Sequence, residues 1–137
     1  MAQRPTPETR NAGSAFWRAA AERKLVLPAC TQCDKPFWHP RPHCPFCGSR
    51  DIEWRTASGR GSVYTYTVVR QSSDPHFREH VPYVVAMIEL DEGPRIMSNV
   101  IDCAPEQVRI GMRVSVRFEL VDAHLGIPLF APEEPRA

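Results

Sequence analysis

The spacing of apolar residues changes character twice along this chain. From Ser14 to Lys24 good helix formers carry Phe16, Trp17 and Ala20 one to four residues apart, which predicts an α-helix with one apolar side. Ser14 stands where an N-cap belongs, and Arg23 and Lys24 in the last turn suit the negative end of the helix dipole. Pro5, Pro7 and Gly13 interrupt any pattern before it, so residues 1–13 read as a loose arm. Leu25-Val26-Leu27 predicts a short strand, and Ile52 to Thr56 another. Between them the periodicity is lost among Pro28, Pro36, Pro40, Pro42 and Pro45.

After Gly59-Arg60-Gly61 the pattern becomes that of a β protein. Val63 to Val69 alternates, which sends Tyr64, Tyr66 and Val68 to one face and Val63, Thr65, Thr67 and Val69 to the other. Tyr83 to Leu90 is a second strand, and the turn Asp91-Glu92-Gly93-Pro94 returns the chain as a third from Arg95 to Ile101. Pro105 to Ile110 is a connector with room for one helical turn. Val114, Val116 and Phe118 alternate inward on a fourth strand, and Ile127 to Phe130 is a short fifth. A long first strand, a hairpin and a late return predict a small closed Greek-key barrel of the OB type, with an SH3-like barrel or small sandwich as alternatives. The fold class is therefore mainly β with an N-terminal helix. The expected domains are an arm and helix over 1–27, a metal-binding ribbon over 28–57, a barrel over 58–131 and a tail over 132–137.

Cysteine changes this picture most. Cys30, Cys33, Cys44 and Cys47 form C-x2-C-x10-C-x2-C inside the proline-rich stretch. Each C-x2-C puts two sulfurs on one turn, and two such turns close a tetrahedral cage around one Zn²⁺ at about 2.3 Å per bond. Gly48 after the second pair suits the positive φ that turns N–H groups toward thiolates. Asp34 holds the equivalent place after the first pair and is among the few other residues that visit that region. Four protein ligands leave no open position, so the expected zinc is structural, one per chain, and not catalytic. Iron in a rubredoxin-like knuckle is the competing occupant. His39 and His43 lie in the loop as stand-in ligands or, on the blander reading, surface residues. Cys103 has no partner in sequence and reads as a small apolar core residue.

Charge narrows the function classes. The formal net charge is +1, distributed as +3 over residues 1–27, +2 over 28–60 and −4 over 61–137. The barrel segment thus offers no attraction for a phosphate backbone, although Tyr64, Tyr66 and Phe118 are residues able to stack on bases. The polar N-terminus has no apolar signal core, and no run approaches the roughly 20 apolar residues that cross a bilayer, so the expectation is a cytoplasmic protein without membrane contact. G-x-S-x-G, phosphate-binding glycine loops and paired carboxylates of clear geometry are absent from the sequence. His76 and His80 share the loop Ser72 to His80, which reads as a contact element before it reads as an acid–base site.

The order of these motifs resembles that of the DUF35 family of zinc-ribbon plus OB-fold proteins. The matching residues are Phe16-Trp17, Leu25 five residues before Cys30, both cysteine pairs, Pro40-Arg41, and Cys44-Pro45-Phe46-Cys47-Gly48-Ser49. They continue with Gly59 to Val69, Val85 to Arg95, and Gly111-Met112-Arg113-Val114, so that the likeness covers about residues 14–131. Asp34, where the family usually has glycine, is the clearest departure. The resemblance implies a non-catalytic accessory subunit of a thiolase-superfamily enzyme acting on acyl-CoA thioesters by thiolytic, acyl-transfer or retro-aldol chemistry. It also implies acyl-CoA at or near the interface. The dimeric habit of thiolase-like enzymes leads to the expectation of a heterotetramer of two catalytic and two accessory chains. On this reading the helix bearing Phe16 and Trp17 either staples itself to the barrel or docks a partner, and Pro128 to Arg136 lies across that partner. Arg18, Arg23, Lys24 and Arg41 are cations able to meet CoA phosphates, and nothing in the spacing singles one out. The alternatives are a nucleic-acid-binding ribbon and barrel, and a free-standing acyl-CoA hydrolase or transferase, for which the sequence shows no nucleophile–base pair.

Overall fold

The computed structural model describes residues 3–133. Its elements are α1 (Ser14–Ala21), β1 (Val26–Cys30), β2 (Ile52–Thr56), β3 (Arg60–Val69), α2 (Pro75–Arg78), β4 (Tyr83–Leu90), β5 (Arg95–Val100), β6 (Arg113–Asp122) and β7 (Leu125–Pro132). A 3-10 turn over Pro105–Gln107 occupies the connector before β6. Strands β1 and β2 pair antiparallel from Val26↔Thr56 to Cys30↔Ile52, with the cysteine loops between them. The other five strands close a barrel in the order β3-β4-β5-β7-β6, and only the β5–β7 contact, Val100↔Phe130, is parallel. This is the expected OB-type barrel and not the SH3-like or sandwich alternative.

Alternation explains most of the barrel. Val84, Ala86, Ile88 and Leu90 of β4 are buried and their sequence neighbours are half-exposed, the period of a strand with one face on a core. They meet Val63, Ile96, Val100, Val114 and the fully buried Phe130. Strand β3 departs from its sequence pattern. A bulge sets both Val63 and Thr65 against consecutive residues of β4, Ile88 and Met87, and leaves Tyr64 as the extra residue. The one-residue insertion reverses the parity of everything after it. Tyr66 and Val68 therefore share the core side with Val63, while Tyr64 turns outward and lies under Arg95, whose guanidinium is 3.7 Å from the ring centroid. The expected grouping of Tyr64 with Tyr66 and Val68 fails for that reason.

The last two strands are longer than the sequence pattern predicts. Beyond Phe118, β6 carries Glu119, Leu120, Val121 and Asp122 exposed, so no alternation marks it as strand. Its pairing with β7 nevertheless runs to Asp122↔Leu125. Strand β7 reads buried at Leu125 through Pro128 because one side faces the barrel and the other is roofed by α1. Pro128 to Pro132 is thus sheet and not a strap across a partner, and Glu134 to Ala137 lie outside the described residues. Arg113 grips Asp91 with two bonds of 2.8 and 3.0 Å, tying β6 to the turn after β4. That guanidinium holds the Asp91 carboxyl below the usual carboxylate range.

Helix α1 is shorter than expected and differently capped. Gly13, not Ser14, is the N-cap, and no side chain caps the helix. The helix stops at Ala21 because Arg23 adopts φ 62°, which leaves Arg18 as the last-turn base in place of Arg23 and Lys24. Its apolar side is stapled inward: Phe16 and Ala20 are buried, and the Ala20 carbonyl lies directly against Gly126 of β7. A methyl group at Gly126 has nowhere to go between two backbones. Gly126→Ala is expected to lower stability by about 1–3 kcal/mol through overpacking, read as a shift of the urea midpoint without a change of slope. An unchanged midpoint would mean that the helix does not sit on β7.

Candidate metal centre and the surfaces around it

The two knuckles are built by local backbone geometry. Asp34 and Gly48, each one residue past a cysteine pair, adopt φ of 61° and 79°. Within the turns, the Cys33 N–H points at Cys30 Sγ at 3.4 Å and the Phe46 N–H at Cys44 Sγ at 3.3 Å, the usual support of a thiolate by backbone dipoles. The Asp34 carboxylate is taken up by Arg55 of β2 at 2.7 Å, and Arg55 also holds Glu53 at 2.7 Å. The residue that departs from glycine thus has its backbone tolerated and its side chain anchored. Nothing local in the chain marks Arg55 for this role, because the pair joins residues 21 positions apart.

The four sulfurs of Cys30, Cys33, Cys44 and Cys47 lie within 4.8 Å of one another. Cys30–Cys47 and Cys33–Cys44 are each 3.6 Å apart. A tetrahedron with Zn–S bonds of about 2.3 Å has edges of about 3.8 Å, so the donor set and its size fit one zinc ion. The four do not form disulfides. Crowding four thiols also splits their acidities. Burial, with neighbouring thiols, pushes Cys33 up to about 12. Burial also raises Cys44, but the N–H groups of Cys47 and Phe46 and the adjacent thiols outweigh it and bring it down to about 6. A cation in the centre removes that conflict by letting all four ionise. His39 and His43 stand outside the cage: His43 Nε2 accepts a hydrogen bond from Arg50 at 3.1 Å, and the His39 ring lies beside Trp38. Cys103 is half-buried against the barrel core, and burial raises its thiol.

Ribbon, helix and barrel meet at aromatic rings. Trp38, in the loop between the knuckles, packs on Phe16 with centroids 4.6 Å apart, and Phe16 meets Trp17 edge-on at 4.9 Å. Trp38 belongs to no motif in the chain, although a tryptophan in an otherwise proline-rich loop is itself a sign that the loop must cover something. The Ser72–His80 loop contains α2, capped by the Asp74 carboxylate on the N–H groups of His76 and Phe77. The His76 and His80 rings stack at 4.5 Å, and His80 Nδ1 is 2.8 Å from the His76 carbonyl. Phe77 packs near Tyr83, and Arg4 of the arm lies 5.5 Å over Phe77 while pairing with Glu119. This loop is held by its own contacts and by Arg4 and Tyr83. Of the four cations named for phosphates, Arg18, Arg23 and Lys24 are exposed on or just beyond α1, and Arg41 lines a groove beside the ribbon.

A rubredoxin-like ribbon followed by an OB barrel defines the class to which this chain belongs. Residues 17–53 match the family model described as the ChsH2 rubredoxin-like zinc ribbon domain, and residues 54–119 match the ChsH2 C-terminal OB-fold domain. The chain belongs to the DUF35 family. A DUF35 domain-containing scaffold protein of Methanocaldococcus jannaschii is 39% identical over 77% of this chain and 75% of its own length. The solved chain titled Ltp2-ChsH2(DUF35) aldolase is 38% identical with a TM-score of 0.81, covering 94% of this chain and 98% of that one. A DUF35 structure from Sulfolobus solfataricus shares the fold at 16% identity and a TM-score of 0.64. A Thermomonospora curvata protein named "Probable enoyl-CoA hydratase alpha subunit" is 40% identical over 98% of this chain, which spans 42% of that relative's length. Among the described residues no helix is long and apolar enough to cross a membrane.

The positive φ at Asp34 separates two contributions to the first knuckle. Asp34→Ala should destabilise the chain by about 1–2 kcal/mol because alanine is strained in the left-handed region. Asp34→Gly should stay within about 1 kcal/mol of the parent, since it loses only an exposed ion pair. Denaturation of the metal-loaded chains checks both, and equal losses would assign the effect to Arg55 instead of the backbone.

Proposed function

We propose that this chain is a non-catalytic accessory subunit that docks on and supports a thiolase-superfamily enzyme acting on acyl-CoA thioesters. The observation that carries the reading is its likeness to the DUF35 chain of the Ltp2-ChsH2 aldolase over nearly the whole of both chains. The sulfur geometry agrees with it, because a closed four-thiolate site supports a fold and leaves no position for a substrate. In this reading Cys30, Cys33, Cys44 and Cys47 hold one structural Zn²⁺, residues 28–57 form the ribbon, and residues 58–131 form the barrel. The complex contains two catalytic and two accessory chains, with the acyl-CoA at or near their interface. The acidic balance of the barrel segment weighs against the nucleic-acid alternative.

A second reading is favoured by the 40% identity to the hydratase-named protein: the partner is then a hydratase chain, and the chemistry is hydration of an enoyl thioester. The two differ in what the protein brings down. Tagged in its native host, it should co-purify with a thiolase-like chain, and that enzyme's turnover of a CoA thioester should depend on its presence. A hydratase chain in the same experiment selects the second reading, and elution alone, with full activity of both enzymes without it, sinks both.

The metal has its own test. The purified chain should carry about one zinc per chain, measured by elemental analysis. Cys44→Ser should lose most of it, and chelation should unfold the ribbon. Iron in place of zinc, or full metal content in Cys44→Ser, would overturn the assignment.

A further inference from the structure

The groove between the second knuckle and the β4–β5 turn has an apolar floor and a cationic rim. Phe37, Trp38, Phe46 and Pro94 line it, and Lys35 and Arg41 stand at its edges. Its volume is about 500 Å³, within the range of small-molecule sites. Phe46 is 58% exposed, an unusual state for a phenylalanine on so small a module. Its backbone N–H is bonded to Cys44 Sγ, so the ring is carried by the metal cage itself. Lys35 Nζ lies over one face of that ring, 5.1 Å from its centre, which leaves the other face for a ligand. Arg41 donates from Nε to the His39 carbonyl at 3.3 Å, a bond that uses neither terminal nitrogen. Among the described residues neither cation is paired with a carboxylate. The acid of the groove, Glu92, accepts the Ser58 N–H at 2.7 Å and is turned to that task.

An exposed aromatic ring beside two cations that no carboxylate neutralises among the described residues is the recognition chemistry of an aromatic base that carries phosphates. An acyl chain would not need the cations, and a simple anion would not need the ring. We propose that this groove seats the phosphorylated adenosine of a CoA thioester, with the base against Phe46 and the phosphates toward Lys35 and Arg41. The identity of the thioester rests on the accessory-subunit reading; the base-plus-phosphate chemistry does not. The −4 balance of the neighbouring barrel segment disfavours a longer polyanion such as an oligonucleotide.

Calorimetric titration of the zinc-loaded full chain tests this with CoA, adenosine bisphosphate, pantetheine and an oligo-dT as probes. CoA and adenosine bisphosphate should bind alike and pantetheine not at all. Phe46→Ala should weaken CoA about tenfold, and Phe46→Leu, which keeps an apolar body, should also weaken it. Lys35→Glu and Arg41→Glu should each cost about tenfold and flatten the salt dependence, while Arg18→Glu, on α1 away from the groove, should leave affinity unchanged. Unchanged zinc content certifies that each variant is folded. Absence of CoA binding, pantetheine binding as tight as CoA, oligo-dT binding tighter than CoA, or a silent Phe46→Leu would overturn the proposal. Capture of the catalytic chain by the same variants is measured beside it. CoA binding without capture counts against the accessory reading alone, and capture without CoA binding counts against the groove alone.

Discussion

Four thiols within 4.8 Å of one another are the constraint on which the rest depends. In water they would repel as thiolates and waste their acidity as thiols; the opposite acidities of Cys33 and Cys44 display that conflict. One zinc ion satisfies all four. The ribbon has little else: its buried apolar residues are those of β1, Phe37 and the cysteines themselves. A module of that size gains too little from burial to hold its loops. Metal binding is therefore folding energy for this segment, and the surfaces that it presents, Phe46 and Trp38 above all, inherit their positions from the cage.

The barrel has an apolar core of its own. Its core runs continuously through four-residue sets of β4 and the inward residues of β3, β5, β6 and β7, with Phe130 at the centre. Helix α1 couples the two modules. Ala20 seats on Gly126 of the barrel, and Phe16 reaches the ribbon through Trp38. Leu25 and Leu27 beside the first knuckle lie in the same buried cluster as Phe16 and the barrel core, so ribbon, helix and barrel share one continuous apolar contact. In the accessory role proposed above, this shared core would present ribbon and barrel to a partner in one fixed relation.

Much of this was legible in the chain. The C-x2-C-x10-C-x2-C spacing determines the cage because short turns constrain sulfur positions locally. The alternation of Val84, Ala86, Ile88 and Leu90 determines a strand because a half-buried sheet repeats every two residues. The order of the strands after Gly61 points to an OB-type barrel, and only the observed closure β3-β4-β5-β7-β6 excludes the SH3-like and sandwich alternatives. Even the tolerance of Asp34 for a left-handed backbone follows from its chemistry.

What the tertiary structure alone decided are features that pair distant residues. The bulge at Tyr64 depends on how β3 fits β4, and it reversed the faces that alternation predicted. The length of β6 beyond Phe118 comes from its pairing with β7, where exposed residues leave no periodic trace. Burial of both sides of β7 needs α1 above it, and the hold of Arg55 on Asp34 spans the whole ribbon. A sequence records what each residue prefers among its neighbours along the chain. Which of those preferences is overruled depends on contacts that exist only once the chain has closed on itself.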